Sequence, residues 1–593
     1  MFRPSLWRWI LFGAILLASW NLTAQAPRGK SKFDPERWPK QELDRYLALD
    51  GQRAQSHPAV VSSKAMIAGT NDPLAIHAGL DVLAHGGNAV DAALTTSLAQ
   101  IALEAGANVS YAGIIEATYY DAASGKVYTL NARYNTVQNE KDPLTIPGVG
   151  EHSGRTALVP GFMAGVQALH DRFGKLPFAT LFDPAIWVAE HGVVVSPRLS
   201  RDIKRSERFI TRLPEGKRIF AKADGSLYQT GELFRQPELA ATLKRVASQG
   251  SAYMYKGEWA HHFVDAVQRE GGKITLEDLA AYRPMWTEPL QVFYHGYQVV
   301  TLGPPNRGGL IALGSLKLAE AADLKKFGHY ASSAEALYYL IQILRIETSL
   351  ANMSPEARKR RYPEINPSPE SQLTKETAER LWARIQHNSA NPQPAKPGPN
   401  HSDGVLAVDE RGNVVSILHS FSGIYWGSTG IFVDGVSIPD TASLQQGLIA
   451  SVGPGARLPS ASNPLIVLKG GKPVLASVAI GSGGVDEVTV QNLINILDFG
   501  MNPKASVERP NTRGPFYGIT GTAPPKPELE KETVGEGDFP EAVLDGVRAR
   551  GQAIKVVTKG AQLSSWIGIQ IDPVAHKISA GLTPFMNAWA EGY

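Results

Sequence analysis

Residues 391–400 read Asn-Pro-Gln-Pro-Ala-Lys-Pro-Gly-Pro-Asn, four prolines in ten positions. Proline lacks the backbone donor and fixes φ, so this stretch can join neither a helix interior nor a central strand. It is a linker or a mobile loop. Directly after it the pattern turns regular. Gly404 to Asp409 reads as one strand and Val414 to Ser420 as a second, and Glu410-Arg-Gly-Asn413 supplies the turn. This is a hairpin signal. The break therefore isolates a serine, Ser402, between an unpaired segment and the start of a strand.

That placement has a chemical consequence. If the His401–Ser402 bond were cut, Ser402 would carry a hydroxyl and a free α-amine on one residue. An α-amine titrates near about 7.7–8.0. It can take the hydroxyl proton at neutral pH, so nucleophile and base become one residue. The Pro-rich end could then swing clear of the site. Spacing alone favours a plainer reading, in which Ser402 is a turn residue after a linker.

Composition narrows the chemistry further. The chain has no cysteine, which excludes a Cys nucleophile, disulfides and Cys-ligated metal. Lys and Arg number 59 against 56 Asp and Glu, so no basic footprint for nucleic acid exists. No G-x-S-x-G elbow, Walker loop or H-E-x-x-H motif occurs. His261-His262 lacks spaced carboxylate partners and reads as a solvated or packed pair. At 593 residues with 43% hydrophobic side chains, the chain can bury a sizeable core.

Arg3 and Arg8 precede an apolar run from Ile10 to Trp20, and Thr23-Ala-Gln-Ala26 follows. This is the layout of an export signal cut after Ala24, so the mature protein is expected to be periplasmic or secreted. Residues 25–56 read as an arm or irregular entry segment. Helices are expected over 73–85, 89–103, 161–172, 181–190, 276–282, 334–350 and 488–497. Strands are expected over 117–120, 126–130, 290–301, 465–468 and 474–480. The glycines of Gly481-Ser-Gly-Gly484 leave bare N–H groups at a helix start, which suits an oxyanion.

Several segments carry a resemblance. They are PLAIHAGLDVLAHGGNAVDAA (73–93), Val159-Pro-Gly-Phe-Met-Ala-Gly165, Phe173-Gly-Lys-Leu-Pro177, PAIWVAEHGVVVS (184–196) and TLEDLAAYRPMWTEPL (275–290). Pro304-Pro-Asn-Arg-Gly-Gly309, SDGVLAVDERGNVV (402–415), Asp498-Phe-Gly-Met-Asn502 and Glu591-Gly-Tyr593 complete the set. In this collinear order, from about His57 to Tyr593, the chain resembles the γ-glutamyltranspeptidase family of N-terminal-nucleophile hydrolases.

The resemblance implies an α+β fold, a four-layer αββα sandwich. Residues 57–401 would form a large portion and 402–593 a small one, separated by self-cleavage at His401–Ser402 and woven into one body. Ser402 stands where the family has its nucleophilic threonine, and Ser420 matches the threonine that orients the nucleophile's amine. Gly483 and Gly484 match the oxyanion-hole pair. Arg133 matches the arginine holding the glutamyl α-carboxylate, and Ser460 the first of two serines beside it; Ala461 replaces the second. Ser422 stands for an asparagine that contacts substrate. Asp403 and Gly404 replace a threonine and a histidine. The acidic grip on the substrate amine has no clear match, with Asp434 or Asp440 as the stand-ins. Expected chemistry is hydrolysis or transfer of γ-glutamyl or other amides to water or an amine, with no metal or organic cofactor. An exported binding protein that has lost catalysis is the alternative.

Overall fold

The computed structural model describes residues 31–50, 52, 59–366, 368–387, 402–423, 425–481, 484–514, 531–559, 564–584 and 586–593. The export signal, the Pro-rich segment, His401 and Gly483 lie outside them.

Fourteen strands build two main sheets. In chain order they are β1 (Val60–Ser62), β2 (Met66–Gly69), β3 (Ile114–Asp121), β4 (Lys126–Ala132), β5 (Met285–Thr287), β6 (Leu290–Tyr294) and β7 (Tyr297–Thr301). There follow β8 (Ser402–Val408), β9 (Val414–Ser420), β10 (Leu465–Lys469), β11 (Lys472–Gly481), β12 (Ser564–Asp572), β13 (Lys577–Leu582) and β14 (Trp589–Gly592). One seven-stranded sheet runs β1-β13-β12-β11-β10-β7-β6, the other β14-β2-β8-β9-β3-β4-β5. Within both, every neighbouring pair is antiparallel. Each sheet contains strands from before and after Ser402, paired side by side, so the two portions share one body.

The sheets face each other. Thr118 donates to the Pro464 carbonyl at 2.7 Å and Ser416 to the Ser477 carbonyl at 2.8 Å. Strand alternation sorts β10: Ile466 and Leu468 pack into the space between sheets, while Leu465 and Val467 face the opposite way. Helices α1 (Pro73–Ala84) and α2 (Ala89–Leu103) cover the β8 sheet. Helices α3 (Gly308–Ala322) and α5 (Val485–Leu497) cover the other sheet, and α4 (Ala334–Asn352) packs on α3 in the same apolar cluster. The result is the expected four-layer sandwich. Strands β8 and β9 are buried along their whole length. Their near-continuous apolar reading reflects cover on both faces rather than one.

Local chemistry fixes where β8 lies. Asn88 and Asp91 form a capping box at the start of α2 (Asn88 Oδ1 from Asp91 N–H, 2.9 Å; Asp91 Oδ2 from Asn88 N–H, 3.1 Å). Asp409 Oδ2 accepts the Ala89 N–H of the same helix start at 3.1 Å. Its Oδ1 accepts the N–H groups of Arg411 and Asn413, which closes the β8–β9 turn. One carboxylate thus ties the hairpin to α2.

The segment 25–56 needs correction. It holds a helix, Lys40–Leu49, whose Tyr46 is buried against the body and hydrogen-bonds Glu591. Trp38 Nε1 donates to Asp81 at 3.1 Å. The apolar residues Leu43, Tyr46 and Leu47 lie on one face, but the flanking charges mask that period in the sequence.

Candidate active site

Ser402 is the first residue of β8, and its side chain is buried. In the ladder it pairs with Ser420, the last residue of β9. Ser420 Oγ accepts the Ser422 N–H at 2.9 Å. Ser422 takes a left-handed φ of 56°, so the chain turns back over the end of β9.

The other sheet brings Gly484 to the same end. Ser416, cross-strand from Leu406, touches Ser477; Gly404, two residues nearer Ser402, faces Val478. The direction from 406 to 402 therefore tracks the direction of β11 toward its end at Gly481. From there the chain reaches Gly484, the residue before α5, at φ 74°. A Cβ on Gly484 would approach Arg513 Cδ to 2.8 Å. Both the conformation and the space call for glycine. The first N–H groups of a helix have no intrahelical acceptor, so this end offers donors to developing negative charge.

Arg133 lies in the same row. Ser420 pairs with Ile114, and Ile115 with Ala132, so the next step of that register sets Arg133 beside Ile114. Its carbonyl accepts from Tyr282 OH at 2.6 Å, and Nη2 reaches Gln445 Oε1 at 3.5 Å. Nε has no partner among the described residues. Burial pulls its pKa down, partly offset by Glu116. A buried guanidinium with one donor still free suits a carboxylate ligand.

The other residues expected to contact substrate divide. Asp440 is buried, accepts from the Ser428 N–H at 3.0 Å, and is pushed up by burial. It lies under the turn that follows Ser422, where a Cβ on Gly423 would come within 3.3 Å of its Oδ1. Asp434 sits instead in a surface turn and pairs with His262 at 2.8 Å. Of the two stand-ins for the amine grip, only Asp440 is near the site. Ser460 Oγ donates to Glu116 Oε2 at 2.7 Å and also contacts Ser462 Oγ at 2.6 Å. A serine has one proton to give. With that proton directed at Glu116, Ser460 is not poised to donate to a substrate carboxylate.

Sequence reasoning passed over Glu116 as a site residue. It bridges Ser460 and Asn131, and Asn131 Oδ1 in turn accepts the Arg133 N–H. Arg457 was missed as well; it donates to Asn131 and Asn135 and stacks on Tyr282. Neither stands in a recognisable motif; only the fold brings 116, 131 and 457 together.

Known proteins bear on this geometry. The family model described as Gamma-glutamyltranspeptidase matches residues 75–584. The glutathione hydrolase proenzyme of Escherichia coli K12 is 28% identical over 488 residues, covering 77% of this chain and 81% of that protein. The acylase ACY 1 proenzyme of Pseudomonas sp. SE83 is 28% identical over 519 residues, covering 82% of this chain and 86% of that protein. The solved cephalosporin acylase of Bacillus halodurans superposes with a TM-score of 0.74 at 24% identity, over 91% of this chain and 97% of that one. With the sandwich in place and the match running through both portions, the chain belongs to the γ-glutamyltranspeptidase family, hydrolases and transferases of the N-terminal-nucleophile type.

Proposed function

We propose that this protein is an exported, self-processing amidohydrolase and acyltransferase in which Ser402 is the nucleophile. The observation that carries the reading is the position of Ser402: buried, at the head of a central strand, opposite Ser420. Cleavage of His401–Ser402 frees the Ser402 amine. The amine takes the hydroxyl proton as Oγ attacks the substrate carbonyl. The N–H groups of Gly483 and Gly484 hold the oxyanion. Collapse expels the amine product, which leaves with that proton, and an acyl ester remains on Ser402. Water or an acceptor amine then attacks the ester, with the Ser402 amine again as base. The products of processing are residues 25–401 and 402–593, held together by the shared sheets.

For the acyl group, γ-glutamyl amides of the glutathione kind are the first reading. Arg133 receives the α-carboxylate and Asp440 the α-amine. A second reading, another acyl amide, is favoured by one feature: Ser460 directs its proton at Glu116, and Ala461 offers none. The donor set for an α-carboxylate is then thinner, and each missing partner costs roughly 1–3 kcal/mol. Export rests on the N-terminal segment's layout; no described helix is long and apolar enough to cross a membrane.

Intact mass of the purified protein beside a Ser402→Ala variant tests this. Two fragments, the smaller beginning at Ser402 and both absent in the variant, support self-processing. A single uncut chain in both overturns it.

A further inference from the structure

Strand alternation sends Asp403 to the face of β8 opposite Gly404, whose Cβ position points at Val478 of the facing sheet. Asp403 therefore enters the helical layer. There it meets Asp72, the residue before α1, and Glu104, the residue after α2. All three are buried, and one carboxylate oxygen from each lies within 4.8 Å of the others.

Glu104 is well served. It accepts from Asn71 Nδ2, from Arg198 Nη2 at 3.1 Å and from Asn108 Nδ2 at 3.1 Å. Asp403 Oδ1 accepts from Thr70 Oγ1 at 3.3 Å. Asp403 Oδ2 and Asp72 Oδ2 have no partner among the described residues. Asn71, fully buried with its side chain reaching into the cluster, also leaves its Oδ1 without one. Among the described residues Arg198 is the sole cation bonded to the group, and it is shared with Asp202 at 3.7 Å. Were all three ionised, three carboxylates against one guanidinium would leave a buried excess of two negative charges, and Asp50 adds to the repulsion on Asp72. Burial and mutual repulsion hold Asp72 and Asp403 well above the usual carboxylate range. A cavity of about 270 Å³, lined by Asn71, Asp72, Glu104, Arg198 and Asn587, opens onto the cluster.

We propose that Asp72, Glu104 and Asp403 bind a divalent cation of the calcium class, with Asn71 Oδ1 as the neutral oxygen beside them. The donors are all oxygen, which selects hard cations. The three carboxylate oxygens lie within 4.8 Å of one another, close enough to meet one ion, and three carboxylates with an amide oxygen form the all-protein cage that calcium takes, whereas magnesium keeps its waters and is held by one or two carboxylates. A divalent ion displaces the protons of Asp72 and Asp403, and its two positive charges cancel the excess that their ionisation leaves beyond Arg198. The cavity gives room for water to complete the coordination. Such an ion clamps the start of α1, the end of α2 and the second residue of β8. It steadies the strand that presents Ser402 without touching substrate, and it is independent of the reaction proposed there.

The test uses the purified full protein, stripped with chelator and then titrated with calcium chloride or magnesium chloride alone. The expected result is one calcium per chain by elemental analysis, with a Kd of about 10⁻³ M or tighter, the range of extracellular calcium sites. Magnesium binds more weakly, and calcium raises the unfolding midpoint. Asp403→Asn and Asp72→Asn each lose the bound ion. No saturable binding and an unmoved midpoint in the unmodified protein overturn the proposal, whatever the variants do. Undiminished binding in both variants overturns it too, because the ion then lies elsewhere.

Discussion

Ser402 and Ser420 face one another as the first and last residues of the β8–β9 hairpin. The ladder that pairs them is anchored at its far end by Asp409, which also caps α2. The position of Ser402, the proposed nucleophile, is thus set by a hairpin, not by a loop. Ser402→Thr adds only the methyl group the family's own nucleophile carries. We expect it to process and to keep activity within about tenfold, whereas Ser402→Ala does neither. Fragment masses and turnover of a chromogenic acyl amide read this directly.

Ser420 accepts the Ser422 N–H in a buried turn. Ser420→Ala strands that donor, at roughly 1–3 kcal/mol, and removes the hydroxyl opposite Ser402. Slower processing and a fall in kcat of about 10–100-fold are expected, with KM little changed. Ser420→Thr keeps the oxygen and restores both. Equal kinetics in the alanine variant would assign Ser420 to the turn alone.

Much of the frame was legible in the sequence because its signals are local. The capping box at Asn88, the β8–β9 turn and the helix after Gly484 each declare themselves within a few residues. Strands β1, β2, β5, β12, β13 and β14 were not read. Their partners lie far along the chain: Val60 pairs with Ala580 and Met66 with Gly592. Burial on both faces also erases the alternation a strand would otherwise show, as along β2. The acidic cluster was invisible for the same reason. Asp72, Glu104 and Asp403 are distant in sequence and meet only at two helix ends and one strand.

Gly484 holds φ 74° with Arg513 against its open face. Gly484→Ala must shift one or the other, and the turn proposed to supply the oxyanion donors moves with it. Loss of an oxyanion donor costs about 10²–10³ in kcat. We expect a fall of that order with KM nearly constant. A change confined to KM would place this turn outside the oxyanion hole.

Arg133 is buried with Nε unpaired. Arg133→Lys keeps the charge but cannot bind a carboxylate with two parallel N–H groups. KM for a γ-glutamyl amide is expected to rise about tenfold or more, and kcat to change less. Assays of the same amide with and without its α-carboxylate separate the roles. If Arg133 holds that group, the substrate lacking it is indifferent to the substitution.

Glu347, in the middle of α4, is pushed up to about 8 by burial, the one cause acting on it. An unfolded glutamate titrates near about 4.3. The folded state thus keeps a proton that the unfolded state releases, and stability falls as pH rises between these values. Below the unfolded pKa the carboxyl is neutral in both states and costs nothing. Above about 8 the full loss is in place, on the order of a few kcal/mol at 1.4 kcal/mol per pH unit. Glu347→Gln mimics the neutral acid and has no proton to lose. Its unfolding midpoint, compared with the unmodified protein from pH 5 to pH 9, is expected to gain steadily with pH and to level off near pH 8. Other raised carboxylates, such as Glu532 at about 7, contribute to both proteins and cancel in the difference. A pH-independent difference would mean that Glu347 stays ionised in the fold, with a cation beside it.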